Sequence, residues 1–316
     1  MGGFGLDLGR GVTAAFFPGQ GAQSLGMGLA LAERYSEARR TLEEADRLIP
    51  GLLAKITSGP EEELAATETL QPALLAVSVA SYRAYRQAGG AAPDYAAGHS
   101  LGEWSAHVAA GSLELAQALQ LVQRRGRYMQ EAVPIGQSGM AAVLKLNRDQ
   151  VAEIISEIPE LWIANFNSPE QVVLSGTTAA LAVARPQIEA ARGRWAALKV
   201  SAAFHSPLMA PAQARLAPEV AQTQFQAPEF PVYANVSAQP ETDPARIRQL
   251  LTEQITQPVR WEDIVRDLTS KGVKAFLEFG PGNTLTGLAK RIEREISAWT
   301  VANPGDLEAA LEGRHA

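Results

Sequence analysis

Residues 95–102 read Tyr95-Ala96-Ala97-Gly98-His99-Ser100-Leu101-Gly102, a short apolar run entering a Gly-x-Ser-x-Gly pentapeptide. A strand that turns sharply into a helix at such a serine lifts its Oγ clear of the chain. The next stretch, Glu103-Trp104-Ser105-Ala106-His107-Val108-Ala109-Ala110, is predicted helical, and Gly111, which tolerates positive φ, ends it. The glycines let neighbouring backbone pass close by, and Ser100 falls at the positive end of the helix dipole. Alone, the pentapeptide suits an ordinary turn equally well. In the order strand, turn, helix it points to a nucleophilic serine and to acyl transfer.

Working outward, residues 13–17 read as a strand followed by a loop over 18–23, and helical patterns cover 29–48 and 72–88. This alternation predicts an α/β protein with an open, mainly parallel sheet covered by helices on both faces, α/β-hydrolase-like. The pattern changes from residue 139. Strand 140–146, helix 148–157, strand 161–166, strand 171–175, helix 178–192 and strand 195–200 give the order βαββαβ, a ferredoxin-like unit whose central turn is Asn167-Ser168-Pro169-Glu170. We expect it to be an insertion: residues 1–136 and 201–316 form a large α/β subdomain and 137–200 a small one. Beyond it, strands are expected over 232–235 and 273–279 and a helix over 285–296. The insertion separates Ser100 from His205 in sequence and places a pocket in the cleft between the two parts.

A serine nucleophile needs a base, and the chain has four histidines: His99, His107, His205 and His315. His99 adjoins the serine and leaves the backbone in another direction. His107 lies about 10 Å along the helix axis, and His315 sits in a polar tail. His205 remains, within Ser201-Ala202-Ala203-Phe204-His205-Ser206-Pro207, where a loop can carry it to Ser100. The alternative is a satisfied core histidine. No Asp or Glu after Ser100 stands out as the group that orients the imidazole; a main-chain carbonyl would serve.

Over residues 115–131, Gln117, Gln120, Arg124, Arg127 and Glu131 form a polar helix face and Leu115, Ala118, Leu119, Val122 and Met129 an apolar one. Arg125 falls on the apolar stripe. A guanidinium there loses water and needs an anion, and its planar fork suits a carboxylate. That carboxylate belongs either to a substrate or to an internal Asp or Glu, and a snorkelling side chain is the third possibility.

Seven ordered motifs carry a family resemblance: Phe17-Pro18-Gly19-Gln20-Gly21-Ala22-Gln23; Gly98-His99-Ser100-Leu101-Gly102-Glu103; Arg125-Gly126 with Met129-Gln130; Asn165-Phe166-Asn167-Ser168-Pro169; Ala203-Phe204-His205-Ser206; Gln254 with Pro258-Val259; and Glu278-Phe279-Gly280-Pro281-Gly282. The chain resembles the malonyl-CoA:acyl carrier protein transacylases of bacterial fatty acid synthesis and the related acyltransferase domains of polyketide synthases. The resemblance implies that Ser100 becomes malonylated and that His205 takes and returns its proton. It implies an oxyanion hole from the backbone N–H groups of Gln20 and Leu101. It implies Arg125 as the ligand of the malonyl carboxylate, Gln254 beside the histidine and Asn167 near the pocket. Leu101 and Phe204 follow the malonyl pattern of related acyltransferases, since a phenyl ring beside the acyl Cα leaves little room for an extra methyl. The implied partners are a coenzyme A thioester and an acyl carrier protein that supplies its own phosphopantetheine, with no resident cofactor or metal.

Composition sets outer bounds. The 316 residues are 46% hydrophobic, with a net charge of −6 and no cysteine. Disulfides, thiolate zinc sites and a cysteine nucleophile are excluded, and general nucleic-acid binding is disfavoured. Met1–Arg10 shows no signal peptide and no membrane span is visible, so a cytoplasmic protein is expected, and the family resemblance implies a monomer. Lys271, Lys274, Lys290, Arg291 and Arg294, or Arg192 with Arg194, offer local basic patches for an acidic carrier. Gly280-Pro281-Gly282 suits a phosphate cradle or a simple turn. Near Gly19-Gln20-Gly21, Ser24 stands where a dinucleotide fingerprint wants its third glycine. A discrete polyketide-type acyltransferase, a serine hydrolase or thioesterase, and a non-catalytic carrier-binding domain remain the alternatives.

Overall fold

The computed structural model describes residues 11–200 and 202–313, so Met1–Arg10, Ser201 and His315 lie outside the described residues. The strands in chain order are β1 (Thr13–Phe17), β2 (Tyr95–Gly98), β3 (Ser138–Leu144), β4 (Leu161–Ser168), β5 (Gln171–Thr177), β6 (Arg194–Ala197), β7 (Val232–Tyr233), β8 (Pro240–Glu241), β9 (Ala275–Phe279) and β10 (Ser297–Val301).

The larger sheet has the order β10-β9-β1-β2-β7-β8. All its pairs are parallel except β7 with β8. A parallel sheet is covered on both faces, which explains why β1 and β9 are almost continuously apolar. Phe17 and Phe279 meet on one face with ring centroids 5.8 Å apart, and Phe16 stacks on Phe276 at 4.5 Å on the other. Phe17 is level with Gly98, so the loop after β1 and the turn after β2 emerge side by side at the carboxyl ends of the strands.

The second sheet has the order β4-β5-β3-β6, antiparallel throughout, with helices Arg148–Ile155 and Thr178–Ala190 packed on it. This is the ferredoxin-like βαββαβ arrangement. Ser168 pairs with Gln171, leaving Pro169-Glu170 as a two-residue turn. The small sheet meets the segment that leads into the helix Trp261–Ser270, where Val259 N–H donates to Ala164 O at 2.8 Å and Phe166 N–H donates to Val259 O at 2.9 Å. Arg148 reinforces the joint, meeting Glu262 at 3.0 Å and Asp263 at 2.9 Å.

Several element boundaries differ from the periodicity. Residues 29–48 are two helices, Leu29–Arg34 and Ser36–Leu48, because Tyr35 is extended at φ −116°, ψ 121° while the apolar spacing runs on across it. The helix expected to start at Pro72 begins at Thr67; this segment is buried almost throughout, and tertiary packing outweighs the N–H that Pro72 lacks. The helix expected over 285–296 is Thr284–Ile292, after which Glu293 is extended and β10 forms the sheet edge. No helix among the described residues is long and apolar enough to cross a membrane.

Candidate active site

Ser100 sits at φ 52°, ψ −106°, a conformation an L-residue holds only when its surroundings enforce it. Two glycines make the enforcement possible. A Cβ at Gly98 would come within 1.8 Å of Gly102 C, and one at Gly102 within 1.9 Å of Phe17 O. Asn235 clamps the turn from outside: Ser100 N–H donates to its Oδ1 at 2.7 Å and its Nδ2 donates to Gly98 O at 2.7 Å. The sequence pattern marks Asn235 only as a strand end, and it lies just past β7.

His205 meets the serine from the loop after the small sheet, also at positive φ, 57°. Its Nδ1 lies 2.9 Å from Gln254 O. A carbonyl only accepts, so Nδ1 carries the proton and Nε2 is free to accept Ser100 Oγ–H at 2.7 Å. A peptide carbonyl thus stands where a triad carboxylate would. Burial, aided by the nearby Arg125 charge, pushes His205 down to about 3, so the imidazole is neutral at pH 7. The remaining described histidines do not touch Ser100 Oγ. His99 donates from Nε2 to Asn167 Oδ1 at 2.9 Å, and His107 bonds Ser112 Oγ at 2.9 Å within its own turn.

Arg125, on the helix Leu115–Glu131, is 1% exposed and therefore does not snorkel. Its Nη1 donates to Gln71 Oε1 at 2.8 Å, and its Nη2 to Gln254 Oε1 at 2.9 Å and to Ser100 Oγ at 3.1 Å. Among the described residues it makes no ion pair, and its buried Nε has no partner. The carboxylate nearest in the network is Glu103, which is buried. Its Oε2 accepts from Gln254 Nε2 at 2.6 Å and from Asn235 N–H at 3.0 Å. Burial raises Glu103 to about 7 and lowers Arg125 to about 10, so the guanidinium stays charged at neutral pH. Arg124 and Arg127, on the predicted polar face, pair outward with Glu219 and Glu68. Gln71 and Glu103 went unrecognised as site residues because neither lies in a pattern that announces a contact across the fold.

A cavity of about 170 Å³ opens beside Ser100 and His205, walled by Gln20, Met140, Asn167, Leu198 and Phe204. Leu101 begins the helix Leu101–Ala109 and is buried. The backbone N–H groups of Gln20 and Leu101 donate to no other group among the described residues. Gly280-Pro281-Gly282 turns the chain; the N–H groups of Leu285 and Thr286 beyond it are taken by the buried Glu278 carboxylate at 3.0 and 2.7 Å, which fills the place a phosphate would need. A larger depression of about 730 Å³ lies between the small sheet's helices, lined by Glu153, Glu157, Glu160 and Val183, and brings no nucleophile to a base. Among the described residues no group of three or more His, Cys, Asp or Glu could hold a metal.

An elbow serine bonded to a neutral histidine, on an open parallel sheet, defines a serine enzyme of acyl transfer. The family model for an acyl transferase domain matches residues 16–303, and the chain belongs to that family. It is 44% identical over 303 residues to the malonyl CoA-acyl carrier protein transacylase of Salmonella typhimurium, covering 94% of this chain and 98% of that protein. The malonyl CoA-acyl carrier protein transacylase structure from Coxiella burnetii superposes with a TM-score of 0.93 at 36% identity, covering 96% and 97% of the two chains. A malonyl-transacylase solved in complex with a type II polyketide synthase acyl-carrier protein gives a TM-score of 0.93 at 42% identity, covering 96% of this chain and all 100% of the other.

Proposed function

We propose that this enzyme moves the malonyl group from malonyl-CoA to the phosphopantetheine thiol of an acyl carrier protein, through a malonyl-Ser100 intermediate. The observation that carries the reading is the position of Arg125: a buried, charged guanidinium lies 3.1 Å from the nucleophile and makes no ion pair among the described residues. A neutral acyl group has no use for it. The carboxylate of a malonyl group supplies the missing anion and orients the thioester over Ser100 Oγ.

Ser100 Oγ attacks the thioester carbonyl as its proton passes to His205 Nε2. The substrate carboxylate cancels the Arg125 charge that helps hold His205 down, so binding malonate makes the imidazole a better base. The oxyanion is received by the N–H groups of Gln20 and Leu101, each worth about 2.7–4 kcal/mol in comparable sites. Collapse expels coenzyme A, protonated by His205, and the carrier thiol then runs the same steps in reverse. Phe204 and Asn167 shape the cavity, and Gln254 holds His205 by its carbonyl and Arg125 by its side chain.

The subdomains are read as 1–136 with 201–316 and 137–200, the enzyme as cytoplasmic and monomeric, and the chemistry as needing no resident cofactor. For the carrier we favour the groove of about 540 Å³ lined by Lys145, Lys290, Arg291 and Arg294. Gln171 lines both this groove and the acyl cavity. Lys271 is spent on Asp267 and drops out of that patch. The test is coenzyme A release from malonyl-CoA with and without phosphopantetheinylated carrier. Carrier-dependent release with malonyl-carrier as product supports transfer; equal release in both, with free malonate, makes the protein a hydrolase.

A further inference from the structure

The amide of Gln254 has one orientation that its neighbours accept. Its Nε2 faces three acceptors, Glu103 Oε2 at 2.6 Å, Ser100 O at 3.1 Å and Asn235 Oδ1 at 3.4 Å, while its Oε1 faces Arg125 Nη2 at 2.9 Å. Flipping the amide would set oxygen against three oxygens and an NH2 against a guanidinium. The other glutamine on Arg125, Gln71, is held at its Nε2 only by Met129 Sδ at 3.9 Å, a weak acceptor. The shortest bond on the Gln254 amide, and the only one its Nε2 makes to a carboxyl group, is that to Glu103, a buried side chain that touches none of the reacting atoms. Glu103 Oε2 also takes Asn235 N–H at 3.0 Å, and Asn235 is the residue that clamps the elbow.

We propose that Glu103 is a positioning residue for malonyl selection: its carboxylate orients the Gln254 side chain, and through it places the Arg125 guanidinium where the acyl carboxylate must dock. The inference rests on the reading of Arg125 given above. A residue that only stabilised the fold would affect all acyl groups alike, whereas one that places Arg125 affects the acyl group that carries a carboxylate.

The experiment compares Ser100 acylation by malonyl-CoA and acetyl-CoA in the native protein, Glu103→Met and Glu103→Gln, with Tm recorded for each. Methionine fills the space and removes both acceptors; glutamine keeps an oxygen that can accept from Gln254 and Asn235. In Glu103→Met the KM for malonyl-CoA should rise about tenfold or more while acetyl loading changes much less, so the preference collapses. Glu103→Gln should restore the preference to within about threefold of native, the rescue a hydrogen-bonding role predicts. Equal losses for both acyl groups in Glu103→Met, or an unchanged malonyl KM, would overturn the proposal. Should Glu103→Met not fold, Glu103→Leu takes its place, and equal losses for both acyl groups or an unchanged malonyl KM in that variant would overturn it. A native protein that forms no malonyl-Ser100 would overturn the reading of Arg125 itself, and this inference with it.

Discussion

The wall of the acyl cavity on the side of the six-stranded sheet and its loops holds Ser100 and His205, backed by the buried Arg125 and Gln254, and each of the four is hydrogen-bonded to at least one of the others. The wall contributed by the four-stranded sheet and its exit holds the apolar Met140, Val173, Leu198 and Val200 together with the neutral amides Asn165, Asn167 and Gln171, and no charged group. On the first wall position is set by directional bonds and by a strained backbone at two residues, Ser100 and His205. On the second it is set mainly by packing, with single hydrogen bonds from His99 to Asn167 and from Arg291 to Gln171. Substitutions on the first wall should therefore change the chemistry and the recognition of charge, and those on the second only the shape of acyl group admitted.

The largest effects fall on the first wall. Ser100→Ala and His205→Ala should each lower acyl transfer about 10⁴-fold or more, measured by single-turnover coenzyme A release, because nucleophile and base act as a unit. Arg125→Ala comes next. The kcat/KM for malonyl-CoA should fall about 10²- to 10³-fold, the scale of a lost buried charge pair, while acetyl-CoA loading falls far less. A parallel fall for both substrates would remove Arg125 from recognition. Phe204→Ala, where the first wall meets the second, should raise methylmalonyl loading relative to malonyl by about tenfold, because one methyl group is worth only about 1–3 kcal/mol.

The smallest effect is on stability. Glu103 titrates near 7 in the fold against an ordinary 4.5, so its raised pKa favours the folded protein below about pH 4.5, and that contribution is lost as pH rises through 7. Glu103→Gln removes the titration. The Tm of the native protein relative to Glu103→Gln should drop by a few degrees, about 2–4 °C or more, between pH 5 and pH 8. An offset that stays constant with pH would show that the carboxylate keeps an ordinary pKa.

The part of the fold that local pattern encodes was legible. Gly98-His99-Ser100-Leu101-Gly102 announces a strand-to-helix turn, and the small sheet's strands and helices alternate at periods a single chain displays. The edge strands β8 and β10 were missed: they are short or half-exposed and carry no apolar alternation. The site divides in the same way. Ser100 follows from its motif, His205 from scarcity of alternatives, and Arg125 from falling on an apolar helix face. Gln20, Gln254 and Asn167 came only from family resemblance, because what they contribute is a main-chain group or an amide that no spacing marks. Asn235, Glu103 and Gln71 were invisible as a network: Glu103 and Asn235 are 132 positions apart yet share a 3.0 Å hydrogen bond, which only the folded chain brings about.

Whether Ser100 carries the malonyl group and Arg125 selects it is read from intact-protein mass spectrometry after brief mixing with malonyl-CoA or acetyl-CoA. The native protein should acquire one malonyl group and Ser100→Ala none, and Arg125→Ala should show no preference for malonyl over acetyl. A malonylated Ser100→Ala, or a native protein that releases free coenzyme A without acquiring an adduct, would contradict this assignment.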